Sequence, residues 1–240
     1  MSKRIFLAGA SGAIGRRLCL LLVRDGWQVA GMTRHREKAE ALRLLGVEPV
    51  IVDVFDEARL RRAMADAAPD IVVHQLTDLP PGLDPARMEE ARTRNARIRE
   101  LGTRHLVAAA VAAGARRMVA QSTAFAYARG PAPFREASPL NIEAAGSAGV
   151  SARGVASLER QVLEAPLDGV VLRYGRLYGP GTGFEAPPAG GPLHVDAAAD
   201  AARRALTRGR GVYNIAEDDG SVLSQKARDD LGWRADFRIV

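Results

Sequence analysis

The chain has 240 residues, 47% of them hydrophobic and 26% charged, with a formal net charge of +6 and a pI near 10.1. That length allows one substantial core, and no run approaches the roughly 20 apolar residues a membrane span needs. Lys3, Lys38 and Lys226 are the only lysines, so the positive charge is almost all arginine, scattered along Ala-rich helices without a basic run interleaved with aromatics. No nucleic-acid or membrane partner is expected from this pattern; attraction for a phosphorylated small molecule is. Cys19, alone and set in LCLLLV, excludes an internal disulfide and reads as buried packing. The start, MSKRIFLAGASG, runs directly into a first apolar segment and carries no secretory leader pattern, so a cytoplasmic location is expected.

Taken in order, RIFLAGA (4–10) is a short apolar run ending in glycine, and 13–25 carries a helical apolar pattern. WQVAGMTR (27–34) reads as a second strand, EKAEALRLLG (37–46) as a helix closed by Gly46, and PVIVDVFD (49–56) as a third strand. Residues 57–68 are helical, DIVVHQLT (70–77) is a fourth strand, and one long helix fills 86–113. RMVAQSTAFAY (117–127) is a fifth strand running into a Pro/Gly-rich loop; a helix follows at 151–164, then a sixth strand with its turn at 169–179. Past the Gly/Pro-rich loop GPGTGFEAPPAGGP, from about 180, come a helix at 196–208, a short strand GVYNI (211–215) and a helix near 221–231.

Strands alternating with helices in this way predict an α/β fold, a Rossmann doubly wound parallel sheet with a ligand crevice at the carboxyl ends of its strands. The last 60 residues are too few for their own core. The expected division is a Rossmann unit over 1–180 and a small C-terminal cap, 181–240, packed on it.

Gly9-x-x-Gly12-x-x-Gly15 lies between the first strand and the first helix. Glycines at this spacing let the chain turn tightly and let a pyrophosphate approach the amide groups of the helix N-terminus, so Gly9, Ser11, Gly12, Ala13, Ile14 and Gly15 are the predicted dinucleotide turn. An NAD-binding carboxylate belongs near the end of the second strand, but the sequence there is Met32-Thr33-Arg34-His35-Arg36, with no acid before Glu37. Arg34 can accept a 2′-phosphate, so NADP is the expected cofactor, with NAD as the alternative. The four histidines show no metal spacing, His74 sits inside an apolar strand as a core residue, and EDD (217–219) reads as a solvated turn.

In its glycine turn, Asp53, VVH (72–74), GT (102–103), STAFAY (122–127), LRYGRLYGPG (172–181), HVD (194–196) and YNI (213–215), the chain resembles extended and atypical short-chain dehydrogenases/reductases, the NAD-dependent epimerase/dehydratase family. The resemblance implies that Asp53 and Val54 contact adenine, that Gln75, Leu76 and Thr77 line the cofactor, and that Tyr174 to Leu177 pass beside the nicotinamide. It also implies that Thr123 polarises a substrate oxygen and that Arg176 faces the substrate. The family's Tyr-x-x-x-Lys, anchored on Glu159, falls on Ser151 and Val155, and no lysine lies between Lys38 and Lys226. The usual proton relay, a phenol whose pKa a nearby cation lowers, is therefore missing. A further departure is Arg99 where the family often has Asn, with Asn95 one turn earlier on the same face.

Tyr127, Tyr174 and Tyr178, all at strand ends, are the substitutes available in the middle of the chain, Tyr178 foremost, with Arg153 as a cation that could lower a phenol's pKa. Two classes of function follow. One is an atypical oxidoreductase or isomerase acting on a small oxygenated substrate, oriented by Thr123. The other is a cofactor-binding protein without turnover, a sensor or partner-binding subunit. The resemblance also implies a homodimer formed through the helices at 86–113 and 151–164, whose stripes (Leu101, Val107, Ala110; Val155, Leu158, Val162) serve that contact or face the sheet.

Overall fold

The computed structural model describes residues 4–239; Met1–Lys3 and Val240, the outer ends of the two segments expected from the sequence, lie outside it. Seven strands form one sheet in the order β3-β2-β1-β4-β5-β6-β9. They are β1 (Arg4–Ala8), β2 (Gln28–Thr33), β3 (Glu48–Ile51), β4 (Ile71–His74), β5 (Arg117–Thr123), β6 (Asp168–Tyr174) and, last in sequence, β9 (Gly211–Ile215). Every neighbouring pair is parallel, as right-handed β–α–β crossovers require.

Alternation along the strands builds two cores. Ile5, Leu7, Val73, Val119, Val170 and Leu172 point to one face, where α1 (Ala13–Arg24) and α7 (Val195–Ala205) cover them, with Leu42 of the short α2 (Ala39–Leu44) in the same core. Phe6, Ala8, Val72, Met118, Ala120 and Val171 point to the other, under α3 (Glu57–Ala67), α5 (Thr103–Ala112) and α6 (Gly146–Glu164). A sheet buried on both faces needs apolar residues at consecutive positions, which is why its strands read as unbroken runs.

Of the stripes considered for a dimer contact, Ala110, Leu158 and Val162 belong to this second core, with Val107 packed against it, and Val155 is fully buried. Ala110, Leu158, Val162 and Val107 thus face the sheet, while Leu101 is half-buried. No described helix is long and apolar enough to cross a membrane.

Two elements depart from the expected outline. The helix drawn over 86–113 is α4 (Met88–Arg97) and α5, joined by a wide π turn over Ile98–Gly102. Much of 181–240 is also built into the body: β9 extends the sheet beside β6, and α7, rich in small alanines, lies on the sheet with Ala197, Ala198, Ala199, Ala201 and Ala202 fully buried. Trp233, past α8 (Gln225–Leu231), donates its indole N–H to the Ala197 carbonyl at 2.9 Å and locks this end of the chain onto α7. Outside the main sheet, β7 (Arg176–Tyr178) pairs in parallel with β8 (Pro192–His194).

Candidate active site

A crevice of about 930 Å³ opens at the carboxyl ends of the strands, where the strand order reverses between β1 and β4. Gly9, Ser11, Gly12, Ala13, Ile14 and Gly15 form its floor. Gly9 has φ +90°, and a Cβ there would lie 2.6 Å from the Gln75 carbonyl oxygen. At Gly15 a Cβ would stand 2.1 Å from the Gly9 carbonyl oxygen, so α1 can start this close to β1 only on glycine. Gly12 differs: an added Cβ meets nothing nearer than 3.4 Å within the protein. The space beyond it belongs to the crevice.

Ser11 shares a 3.1 Å hydrogen bond with Thr33 at the end of β2. Past Thr33, Arg34, His35 and Lys38 line the crevice; Arg34 pairs with Asp78 at 2.9 Å. Asp53, Val54 and Phe55 close this end, with the Arg97 guanidinium 4.5 Å over the Phe55 ring.

After β4 the chain passes through Gln75, Leu76, Thr77 and Asp78, all in the crevice wall. Asn95 holds that segment: its Oδ1 accepts from the Asp78 amide and its Nδ2 donates to the Asp78 carbonyl, both at 3.0 Å. His74 holds it from below, accepting from the Leu76 amide on Nδ1 at 3.2 Å. Its Nε2 lies 3.1 Å from the Thr103 hydroxyl and so carries the ring proton. Burial, aided by the nearby Arg99 charge, pushes the His74 pKa down to about 3. It is a neutral core residue, as its apolar strand suggested.

At the reacting end, Thr123 closes β5, and its hydroxyl has no hydrogen-bond partner among the described residues while its side chain lines the crevice. Ser151 lines the opposite wall and accepts from Arg99 Nη1 at 3.2 Å. Val155 is buried and apolar.

None of the substitute tyrosines supplies a phenol there. Tyr127 is bonded to Asn214 and Arg173 away from the crevice, and burial raises its pKa. Tyr178 turns its hydroxyl to Glu217, 2.9 Å away, and to Arg238; burial, then the Glu217 contact, raises its pKa. Only Tyr174 touches the crevice. Its hydroxyl donates to the Ala198 carbonyl at 3.1 Å and receives Gln75 Nε2 at 3.4 Å, and full burial drives its pKa well above the phenol range. Arg153 points to the Ile142 carbonyl on another surface.

A buried network fixes α6 to the sheet. Glu159 takes Arg173 at 2.8 and 2.6 Å and the Ser122 hydroxyl at 2.7 Å. Leu177 and Arg176 line the outer end, with the Arg176 guanidinium 5.2 Å from the Phe125 ring centroid.

A family model described as the NAD dependent epimerase/dehydratase family matches residues 5–190. The chain belongs to that family. Among curated proteins it is 40% identical, over 92% of its own length and 78% of the other, to a Streptomyces protein named 3-diazoavenalumate denitrifying reductase. A ketoreductase of Stigmatella aurantiaca acting on a farnesyl-dihydroquinoline oxide is 33% identical over 53% of this chain and 35% of its own. In fold it is similar to a Thermotoga maritima UDP-glucose 4-epimerase solved with UDP-glucose (TM-score 0.78, 19% identity, 98% of this chain and 94% of that one). It is also similar to Bordetella bronchiseptica WbmH, solved with NAD⁺ (TM-score 0.70, 24% identity, 90% and 75% covered).

The residues present fit a dinucleotide. The cradle beside Gly12 is one that a side chain would fill. Gln75 Oε1, buried in the crevice wall, has no partner among the described residues.

Sequence reasoning placed Arg99 at the family's Asn position but missed how it enters the site, through the π turn, which leaves no mark on the apolar pattern of its helix. It missed two other features. EDD (217–219) runs into the exposed bend expected, but two of its carboxylates also tie loops together: Glu217 receives Tyr178 and the His194 amide, while Asp219 receives the amides of Gly190, Gly191 and Ser221. Leu79, Phe125 and Phe184, exposed apolar side chains, gather at the crevice; their scatter in sequence hid the grouping.

Proposed function

We propose that this protein is a nicotinamide-dependent reductase that replaces the diazo group of an aromatic acid with hydrogen. The observation that carries the reading is a reaction end with an available hydroxyl, a serine and a half-buried arginine, but, among the described residues, no phenol or lysine able to move a proton. Reducing a carbonyl needs a proton delivered to oxygen as well as a hydride, and the family's relay exists for that. An aryl diazonium needs no such proton. A hydride takes the place of dinitrogen on the ring carbon, and dinitrogen departs with the electron pair of the broken C–N bond. The relative named as a denitrifying reductase, similar over nearly the whole chain, supports this chemistry.

Gly9 to Gly15 would hold the pyrophosphate, Asp53 and Val54 the adenine, and Gln75, Leu76, Thr77, Tyr174 and Leu177 the path toward the reacting end. A reduced nicotinamide dinucleotide bound there supplies the hydride. NADP is favoured over NAD by Arg34, His35 and Lys38 on the wall past β2, where no carboxylate precedes Glu37. Leu79, Phe125 and Phe184 offer apolar area for an aromatic ring. The five cations lining the crevice, Arg34, Lys38, Arg92, Arg99 and Arg176, outnumber its carboxylates, Asp53 and Asp78, and favour an anionic substrate. Thr123 and Ser151 would hold the ring's polar groups, and Arg176 with Phe125 would close the outer side.

The test is cofactor oxidation with aryl diazonium acids and, in parallel, with matching aldehydes and ketones. Oxidation coupled to dinitrogen release, with the carbonyl compounds inert, is expected. Turnover of carbonyl compounds alone would overturn the reading. Tight cofactor binding with turnover of neither would leave the protein in the class of cofactor binders without catalysis.

A further inference from the structure

The π turn between α4 and α5 brings Ile98 and a charged residue, Arg99, into the crevice. A guanidinium has five N–H donors. Among the described residues, Arg99 uses its guanidinium for a single hydrogen bond, to Ser151 at 3.2 Å.

Among the described residues, Arg92 and Arg176 also line the crevice without a carboxylate partner, but both are exposed; other arginines nearby are paired. Arg94 has Glu90 and Asp78, Arg34 has Asp78, and Arg173 has Glu159. Arg99 has none among the described residues. Glu159 is the acid that most influences it, but both of its oxygens are taken by Arg173, with Ser122 sharing one. On another side stands His74, which is neutral. Burial pulls the Arg99 pKa down to about 10, against the weaker pull of Glu159. The side chain is half-buried, so its charge is partly withdrawn from water with no carboxylate beside it.

We infer that Arg99 is the substrate's anion receptor: with Ser151 beside it, it takes an oxyanion of the aromatic acid, either the carboxylate or an ionised ring hydroxyl. The inference rests on the reductase reading for the class of substrate. A planar, permanently charged fork suits an oxygen anion at a partly desolvated site and keeps its charge without a proton to exchange. Neither proton transfer nor redox change is asked of it. Arg99 is a substrate-binding residue that orients the ring at the reacting end of the crevice.

The probe is 4-hydroxycinnamate, an aryl acid without a diazo group, titrated calorimetrically into protein saturated with the oxidised cofactor. Its methyl ester lacks the carboxylate charge, and 4-methoxycinnamate lacks the ring hydroxyl. The unaltered protein should bind 4-hydroxycinnamate, and one of the two analogues should bind at least about tenfold more weakly; whichever does identifies the oxyanion. Arg99→Met should lose a similar factor for the acid and no longer distinguish that analogue. Arg99→Lys should fall between the two, and cofactor affinity should be unchanged in both variants. Equal binding of all three probes to the unaltered protein, no binding of any, or undiminished binding to a cofactor-competent Arg99→Met would overturn the inference. If Arg99→Met loses the fold, the three probes on the unaltered protein decide alone. Failure of the reductase reading is separate: the probes would bind as described while no diazonium acid releases dinitrogen.

Discussion

His74 makes the stability of this protein depend on pH in a way that can be worked out. Its ring is 1% exposed, with Nδ1 filled by the Leu76 amide at 3.2 Å and Nε2 facing Thr103 at 3.1 Å. A second proton would have to sit on Nδ1, where the Leu76 N–H already points, and would put a charge near Arg99 in a buried site. The folded pKa is accordingly lowered from 6.5 to about 3. Since the folded value is depressed, the unfolded chain takes up the proton first as pH falls. The stabilising contribution is complete above about pH 6.5 and is lost progressively as pH drops toward 3. Each unit below 6.5 costs about 1.4 kcal/mol, so the loss at pH 5 is about 2 kcal/mol. Urea unfolding at a series of pH values between 7.5 and 5, for the unaltered protein and for His74→Asn, isolates this effect because the carboxylates contribute equally to both. The unaltered protein should lose about 2 kcal/mol more than the variant over that range. Parallel pH dependence in the two proteins would refute the reasoning.

Gly12→Val should fold with near-normal stability, because an added Cβ meets only the Gly9 carbonyl oxygen at 3.4 Å, yet calorimetry should find no binding of either dinucleotide; retained binding would contradict the placement of the pyrophosphate. Arg173→Met strands the buried Glu159 carboxylate and should cost roughly 3–5 kcal/mol in urea unfolding; a change below about 1 kcal/mol would mean the pair is dispensable. Arg34→Ala should weaken NADP binding far more than NAD binding in paired titrations, and equal losses would show that Arg34 does not read the 2′-phosphate. Tyr178→Phe removes the hydroxyl's bonds to Glu217 and should cost about 1 kcal/mol of stability while leaving kcat unchanged; a collapse of kcat would return Tyr178 to the chemistry.

The sheet was legible because its strands are buried on both faces and therefore read as short continuous apolar runs, separated by segments with helical period. The turn from Gly9 to Gly15 was legible because two of its glycines answer backbone contacts that no other residue permits. The reacting end was legible only as an absence. The resemblance set Ser151 and Val155 at the relay positions, but nothing near them in the chain named a replacement, since the Ser151 partner lies 52 positions away on another helix. Arg99 was legible as a departure at the family's Asn position, but its contact with Ser151 was not, because a π turn shifts which side chains face inward without altering the apolar count. Tyr178 looked available because its strand-end position says nothing of Glu217, which reaches it from 39 residues further along. The division at residue 180 likewise missed that β9 and α7 complete the sheet and its helical cover.

The most direct test of the account uses reduced nicotinamide dinucleotide carrying deuterium at both positions of the nicotinamide C4, incubated with the protein and an aryl diazonium acid. The account predicts dinitrogen release above the protein-free rate and an arene carrying one deuterium on the carbon that bore the diazo group. An arene formed without deuterium, or cofactor oxidation no faster than in the protein-free control, would contradict it.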